Sequence, residues 1–181
     1  MVKAWIVAAA LMSAIAPARA LSLTSPDLAP DGRIADQQAF NGYGCTGGNM
    51  SPALDWSGAP KATKSFALLV SDSDAPAAGG FFHWIVFDIA AEATSLAKNA
   101  GDPHGGAAPK GAVQGRNDFG AAGYGGPCPP QGDRPHHYHF ALYALDVAKL
   151  GAEEAATGAA VASRLRRHTL AKAELTGVWG R

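Results

Sequence analysis

Residues 65–76 read SFALLVSDSDAP, and this stretch sets the expectation for the fold. From Ser65 to Asp72 the residues are mostly aromatic or aliphatic, contain no glycine or proline, and are followed by Ala75-Pro76. The apolar run is almost continuous, which is typical of a strand that is covered on both faces. We therefore predict an interior strand that ends at Asp72.

Other segments add to this β pattern. Residues 81–89, FFHWIVFDI, predict a second long strand, and residues 138–145, YHFALYAL, predict a third. Leu54–Trp56 and the alternating tail 170–181 indicate shorter or edge strands. The chain holds 22 glycines and 12 prolines, which favours strands joined by tight turns over a helical bundle. The predicted fold class is mainly β.

One helix is predicted near the C-terminus. Residues from Ala152 to Leu165 are rich in alanine, with Glu153 and Glu154 near the start and Arg164 close to the end. This order of charges complements the dipole of a helix.

The first twenty residues have the pattern of a secretory signal peptide. Lys3 precedes an apolar run from Ala4 to Ala16, and Ala18-Arg19-Ala20 has the small-x-small form of a cleavage site. We predict cleavage after Ala20 and a periplasmic or secreted protein; a frayed core helix or an uncleaved anchor is the alternative. Residues 21–181 contain no repeat or low-complexity linker and suit one domain.

The charge balance excludes some classes of partner. The chain has 15 basic and 15 acidic side chains, and removal of residues 1–20 leaves a slight acidic excess. Proteins that bind nucleic acids or anionic membranes are usually strongly basic. No segment after residue 20 approaches the roughly 20 apolar residues of a membrane-spanning helix. We expect neither a nucleic-acid partner nor a transmembrane segment.

The two cysteines, Cys45 and Cys128, both lie in glycine- and proline-rich stretches. In an oxidising compartment this predicts one disulfide that closes a long loop. The alternative is two separate buried thiols.

Ionisable residues occur where the three long strands begin or end. Strict alternation assigns each of them to a strand face. Asp72 shares a face with Phe66, Leu68 and Val70, and His83 shares a face with Ile85, Phe87 and Ile89. His136 shares a face with Tyr138, Phe140 and Leu142, while His137 and His139 face away. A buried unpaired charge is costly, so these positions together indicate a binding site. Taken singly, Asp72 fits an Asx-turn, His83 a hydrogen-bonded core histidine, and His136 to His139 a solvated edge.

The prolines and glycines of residues 126–140, GPCPPQGDRPHHYHF, run directly into these histidines. Residues 98–128 before them form a long glycine-rich stretch with no periodicity. Loops of this length in a compact domain are usually functional or disordered. We interpret this one as part of the binding site.

Several blocks of the sequence resemble the phosphatidylethanolamine-binding protein family, in particular its bacterial Raf-kinase-inhibitor-like branch. The resemblance covers most of residues 21–181, and its motifs are D-x-D-A-P, H-W and G-P-x-P-P-x-G-x-x-x-H-x-Y, in that order. The blocks are SPALDWSGAP (51–60), SFALLVSDSDAP (65–76), FFHWIVFDI (81–89), GRNDFGAAGYGGPCPPQGDRPHHYHFALYALD (115–146) and RHTLAKAELTGVWGR (167–181).

The resemblance implies an antiparallel β-sandwich with a few peripheral α-helices and a pocket for phosphate, acetate, cacodylate or a phospholipid head group. Asp74 is expected to shape the turn beside the pocket, and backbone N–H groups of the lip are expected to face the ligand. The ligand-binding residues that it implies are Asp72, Pro76, His83, Gly126, Cys128, His136 and Tyr138.

Two positions depart from the family pattern. His137 stands where the family usually has arginine, and Asp88 stands where it usually has asparagine. Both departures are expected to make the mouth of the pocket less basic.

From these observations we predict an exported, non-catalytic protein that binds a small anion or phospho-head group and needs no cofactor or metal. Inhibition or modulation of a partner protein is implied by family analogy alone. The alternative is a metal-dependent or general-base hydrolase that uses Asp72, His83 and His136. Against it, the chain has no H-x-x-x-H spacing and no G-x-S-x-G elbow.

Overall fold

The computed structural model describes residues 20–29, 32–77, 79–105 and 107–181; the predicted signal peptide, apart from Ala20, lies outside them. Within the described residues, eight strands form two antiparallel sheets that enclose a common core, and one α-helix lies outside. The elements are β1 Ser22–Thr24, β2 Leu54–Ser57, β3 Ser65–Asp72, β4 Phe81–Ala90, β5 Ser95–Leu96, β6 Val113–Gln114, β7 His136–Leu145, α1 Gly158–His168 and β8 Thr169–Trp179. The predicted β-sandwich is confirmed.

Strand β3 lies in the middle of the larger sheet, whose order is β6-β4-β3-β7-β8, and the smaller sheet has the order β1-β2-β5. Phe66, Leu68 and Val70 face the core between the sheets. Ala67 and Leu69 belong to a second cluster, which contains residues of α1. The continuous apolar run is thereby explained, because the smaller sheet covers one face of β3 and the helix covers the other.

The smaller sheet closes the core with few residues. Leu23, Leu54, Trp56 and Leu96 are buried against the larger sheet. The ring of Trp56 meets Phe66 edge to face, with 5.4 Å between the ring centroids, so the two sheets interlock through aromatic side chains.

The helix begins later than predicted. It starts at Gly158, and the Thr157 hydroxyl accepts a hydrogen bond from the backbone N–H of Ala160 at 3.4 Å. Glu153 and Glu154 precede the helix, so the predicted start at Ala152 was wrong. The physical reason is the cap: a threonine hydroxyl satisfies a free N–H group of the first turn, which an alanine-rich pattern does not reveal.

Antiparallel pairing brings three strand ends to one edge of the larger sheet. Asp72, the last residue of β3, is paired with Phe81 at the start of β4 and with Tyr138 near the start of β7. The residues that the sequence singled out at three separate strand ends are therefore neighbours in the fold.

Candidate functional site

A cavity of about 190 Å³ opens at this edge of the larger sheet. A wider groove of about 480 Å³ lies beside Trp179, and among the described residues its ionisable lining consists of Arg33 and Asp36. We favour the smaller cavity because titratable side chains converge on it. Its lining residues are Asp72, Ala75, Pro76, Phe81, His83, Phe119, Cys128, Pro129, Pro130 and His136.

A buried hydrogen bond between an aspartate and a histidine forms the floor of the cavity. Asp72 Oδ2 lies 2.6 Å from His136 Nδ1, and each side chain is 4% exposed. Asp72 Oδ1 accepts hydrogen bonds from the backbone N–H groups of Asp74 at 2.8 Å and Ala75 at 3.2 Å. Asp72 is thus both the Asx-turn residue and a pocket residue. Because a carboxylate can only accept a hydrogen bond, His136 Nδ1 carries the hydrogen and donates it to Asp72. Nε2 is therefore the nitrogen of His136 that a ligand can reach.

A carboxylate at the mouth faces that second nitrogen. Asp133 Oδ2 lies 3.5 Å from His136 Nε2, and its side chain is 48% exposed. The imidazole of His136 therefore stands between two acidic side chains, Asp72 below and Asp133 at the solvent side.

His83 reaches the cavity because strand β4 contains a β-bulge. Trp84 pairs with Val70 and Phe82 pairs with Ser71, so His83 is the extra residue between them. Strict alternation placed His83 with Ile85 and Phe87, but those two lie in the helix-side cluster. That prediction was wrong, because an inserted residue changes which face the following residues occupy.

A second bulge in β4 adds to the same error. Phe66 pairs with Ile89 and Leu68 with Val86, so one extra residue lies in this part of β4, and Asp88 there has a φ of 56°. Ile89 consequently faces the core between the sheets rather than the helix.

The lip of the cavity is cross-linked to the N-terminal part of the domain. Cys45 and Cys128 form a disulfide with 6.0 Å between their Cα atoms, as the sequence predicted. Phe40 N donates to the carbonyl of Pro127 at 3.0 Å, and Arg181 Nε donates to the carbonyl of Pro129 at 2.8 Å. Three separate contacts therefore hold the proline-rich lip over the cavity.

Comparison with known proteins agrees with this geometry. A family model described as phosphatidylethanolamine-binding protein matches residues 24–180. The chain belongs to the phosphatidylethanolamine-binding protein family. The match spans all eight strands except the first two residues of β1, together with the cavity.

Two bacterial relatives match the chain over nearly their whole length. The chain is 47% identical over 164 residues to UPF0098 protein YbcL of Escherichia coli (strain K12), covering 91% of this chain and 90% of that protein. It is 38% identical over 159 residues to UPF0098 protein YbhB of the same organism, covering 88% of this chain and 99% of that protein.

Solved structures show the same fold. The crystal structure of E. coli YbcL, described as a new member of the mammalian PEBP family, matches with a TM-score of 0.86 and 45% identity over 90% of this chain and 99% of that one. The putative phosphatidylethanolamine-binding protein homologue CT736 of Chlamydia trachomatis matches with a TM-score of 0.73 and 35% identity, over 90% and 98%.

Two predicted site residues lie behind the cavity wall. Tyr138 packs edge to face on His83, with 5.1 Å between ring centroids, and its buried hydroxyl has no hydrogen-bond partner among the described residues. Burial raises the pKa of Tyr138, with a further contribution from Asp72, so the hydroxyl keeps its proton and can donate.

Gly126 is the other residue behind the wall. Its N–H donates to Asn49 Oδ1 at 2.8 Å, so this group is already engaged within the protein. A Cβ at Gly126 would collide with the carbonyl of Gln38. Glycine at this position allows two backbone segments to approach closely.

The sequence analysis missed an aromatic wall of the site. Phe81 and Phe119 line the cavity and meet at 4.8 Å between ring centroids. Phe40 stacks on Phe119, with 4.2 Å between the centroids. Phe81 lies two residues before His83, so alternation within the strand could have identified it. Phe119 lies in the long glycine-rich loop, where no periodic pattern exists to indicate which side chains turn inward.

The two departures from the family pattern have different consequences. Asp88 accepts a hydrogen bond from Leu150 N at 2.7 Å and does not line the cavity, so its predicted effect on the mouth was wrong. Asp88 lies at the opposite end of β4 from His83. His137 is exposed, and its Nδ1 lies 2.7 Å from Asp74 Oδ2.

Asp74 ties the turn after β3 to the start of β7. Its carboxylate is bound by the side chain and backbone N–H of His137, and by Arg134 Nη2 at 2.7 Å. The two hydrogen bonds from His137, with a smaller effect of the Arg134 charge, lower the pKa of Asp74 from 3.8 to about 2.

This shift predicts an acid-dependent contribution to stability. The folded-state pKa of Asp74 is depressed, so its contribution is complete above about pH 4 and is lost as the pH falls towards 2. We expect Asp74→Asn to lower the melting temperature relative to wild type. This difference in melting temperature should be constant above pH 4 and should shrink below it. Thermal unfolding between pH 6 and pH 2 measures this; a difference that stays constant to pH 2 would contradict it.

The described residues give no support to the metal-dependent alternative. Asp72, His83 and His136 share the cavity, but no group of three or more His, Cys, Asp or Glu among the described residues has the geometry to hold a metal ion.

In the part of the chain that the structure describes, no helix is both long and apolar enough to cross a bilayer.

Proposed function

We propose that this protein binds a small anion or phospho-head group in the cavity and does not catalyse a reaction. The observation that carries this proposal is the buried Asp72–His136 pair at the cavity floor. Asp72 accepts the hydrogen of His136 Nδ1, so an imidazole that takes up a second proton carries it on Nε2 and presents Nε2–H to a bound anion. A charge-assisted hydrogen bond of this kind is stronger than one between neutral groups.

The other walls support a ligand that also has an apolar part. Ala75, Pro76, Phe81, Phe119 and the lip prolines surround the polar floor. Ligand pockets typically combine such apolar walls with a few polar groups that orient the ligand. A head group that is attached to carbon fits this combination better than a bare, fully hydrated ion.

We also propose that the protein acts outside the cytoplasm. The signal-peptide pattern of residues 1–20 and the disulfide between Cys45 and Cys128 support this proposal. N-terminal sequencing of protein recovered from a periplasmic extract is expected to begin at Leu21; a chain that still begins at Met1 would contradict export with cleavage.

Calorimetric titration with inorganic phosphate tests the binding proposal. We expect one site per chain and an affinity about 10-fold lower at pH 8 than at pH 6, because an imidazole that loses its proton no longer donates from Nε2. Asp72 and Asp133 are the charged groups that face this imidazole.

A parallel titration with acetate isolates the protein's contribution, since acetate remains ionised over this range. Tighter binding of both anions at pH 8 than at pH 6, or no binding at either pH, would overturn the proposal.

A further inference from the structure

The ring of His83 is fixed by the backbone of Gly125. His83 Nδ1 lies 2.7 Å from the carbonyl oxygen of Gly125, and Gly125 N donates in return to the carbonyl of His83 at 2.8 Å. A carbonyl oxygen can only accept, so Nδ1 must carry the hydrogen.

Burial favours the neutral form of this ring. His83 is 3% exposed, and desolvation lowers its pKa despite the opposing effects of Gly125 and Asp72. A neutral imidazole with its hydrogen on Nδ1 has only a lone pair on Nε2. Since His83 lines the cavity, its remaining polar atom can accept a hydrogen bond from a ligand but cannot donate one.

The acidic groups around the cavity add a second constraint. The carboxylates of Asp72 and Asp133 lie within 3.5 Å of His136, and Asp72 and Asp118 are the charges that act on His83. With two carboxylates this close to the cavity floor, each further negative charge on a ligand is disfavoured.

We infer that the cavity selects an anion that still carries a proton, such as the monoanion of a phosphomonoester, over an equally charged anion without one. The P–O⁻ oxygens accept from His136 Nε2–H, and the P–OH group donates to His83 Nε2. An anion without a proton leaves the His83 lone pair unsatisfied or sets it against a ligand oxygen. This inference rests on the proposed function and specifies its ligand class.

Methyl phosphate and methyl sulfate form a matched pair for the test. They are nearly equal in size, and at pH 5.5 both carry mainly one negative charge, because the second pKa of a phosphomonoester is about 6. They differ in one P–OH hydrogen. Calorimetry should give an affinity at least about 10-fold higher for methyl phosphate, the usual effect of an unpaired buried acceptor.

A variant of His83 separates selectivity from general damage to the site. A glutamine side chain can donate as well as accept, so His83→Gln is expected to reduce the methyl phosphate preference to within about threefold. His139→Gln, on the outward face of β7, is the matched control and should keep the wild-type ratio. If His83→Gln kept the wild-type ratio of the affinities for methyl phosphate and methyl sulfate, the inference would be overturned.

The tautomer itself can be measured without any ligand. Long-range ¹H–¹⁵N NMR spectra of histidine-labelled protein at pH 5.5 are expected to show neutral His83 with the hydrogen on Nδ1. An Nε2–H tautomer or an imidazolium signal would overturn the inference. Equal affinities for the two methyl esters in wild type would also overturn it but leave the proposed function standing, whereas no binding of either ester would overturn both.

Discussion

Replacement of His136 by alanine is expected to reduce phosphate affinity by about 100-fold or more, beyond detection by calorimetry. The change removes the donor at the cavity floor and leaves Asp72 Oδ2 buried without its partner at 2.6 Å. The freed carboxylate then repels an incoming anion, so the loss should exceed that of one ordinary hydrogen bond.

The control for this variant lies on the same strand. His139 is on the other face of β7, bonded to Ser73 and Glu174, and His139→Ala should bind phosphate within about threefold of wild type. Thermal unfolding of both variants shows whether they are folded. If folded His136→Ala binds as wild type does, the site is not where we place it.

Loss of the disulfide is expected to have the largest effect on stability. Cys45 and Cys128 are 83 residues apart, and the chain-entropy model assigns about 4 to 5 kcal/mol to closure of such a loop. We expect the double variant Cys45→Ala/Cys128→Ala to lose most of this free energy of unfolding, measured by urea denaturation.

Wild-type protein treated with a reductant is the matched control, and it should unfold at the same urea concentration as the double variant. Because Cys128 lines the cavity, anion affinity should fall as well, to the extent that the lip loses its position. A stability loss below about 1 kcal/mol would show that the hydrogen bonds of Phe40 and Arg181 to the lip suffice without the bridge.

Much of the fold was predictable because burial and strand pattern coincide in this sequence. Both ends of the strand Ser65–Asp72 were predicted correctly, since an apolar run between turn residues in a small domain is typical of a buried strand. The convergence of Asp72 and His136 also followed, because antiparallel neighbours bring a strand end next to a strand start.

The failures arise from features that leave no periodic pattern in the sequence. The β-bulge at His83 moved Ile85 and Phe87 to the helix side, and the Thr157 cap moved the helix start. Gly126 was predicted as a backbone donor to the ligand, but its N–H is bound by Asn49, 77 positions away in the chain. Such contacts depend on tertiary packing and leave no periodic trace.

The most direct test of anion binding is a histidine-resolved NMR titration at pH 6 with inorganic phosphate. We predict saturable shifts of the His83 and His136 ring signals with a single dissociation constant, while the signals of His104, His139 and His168 remain unchanged. Shifts confined to these three histidines, or no saturable shift of His136, would contradict the account.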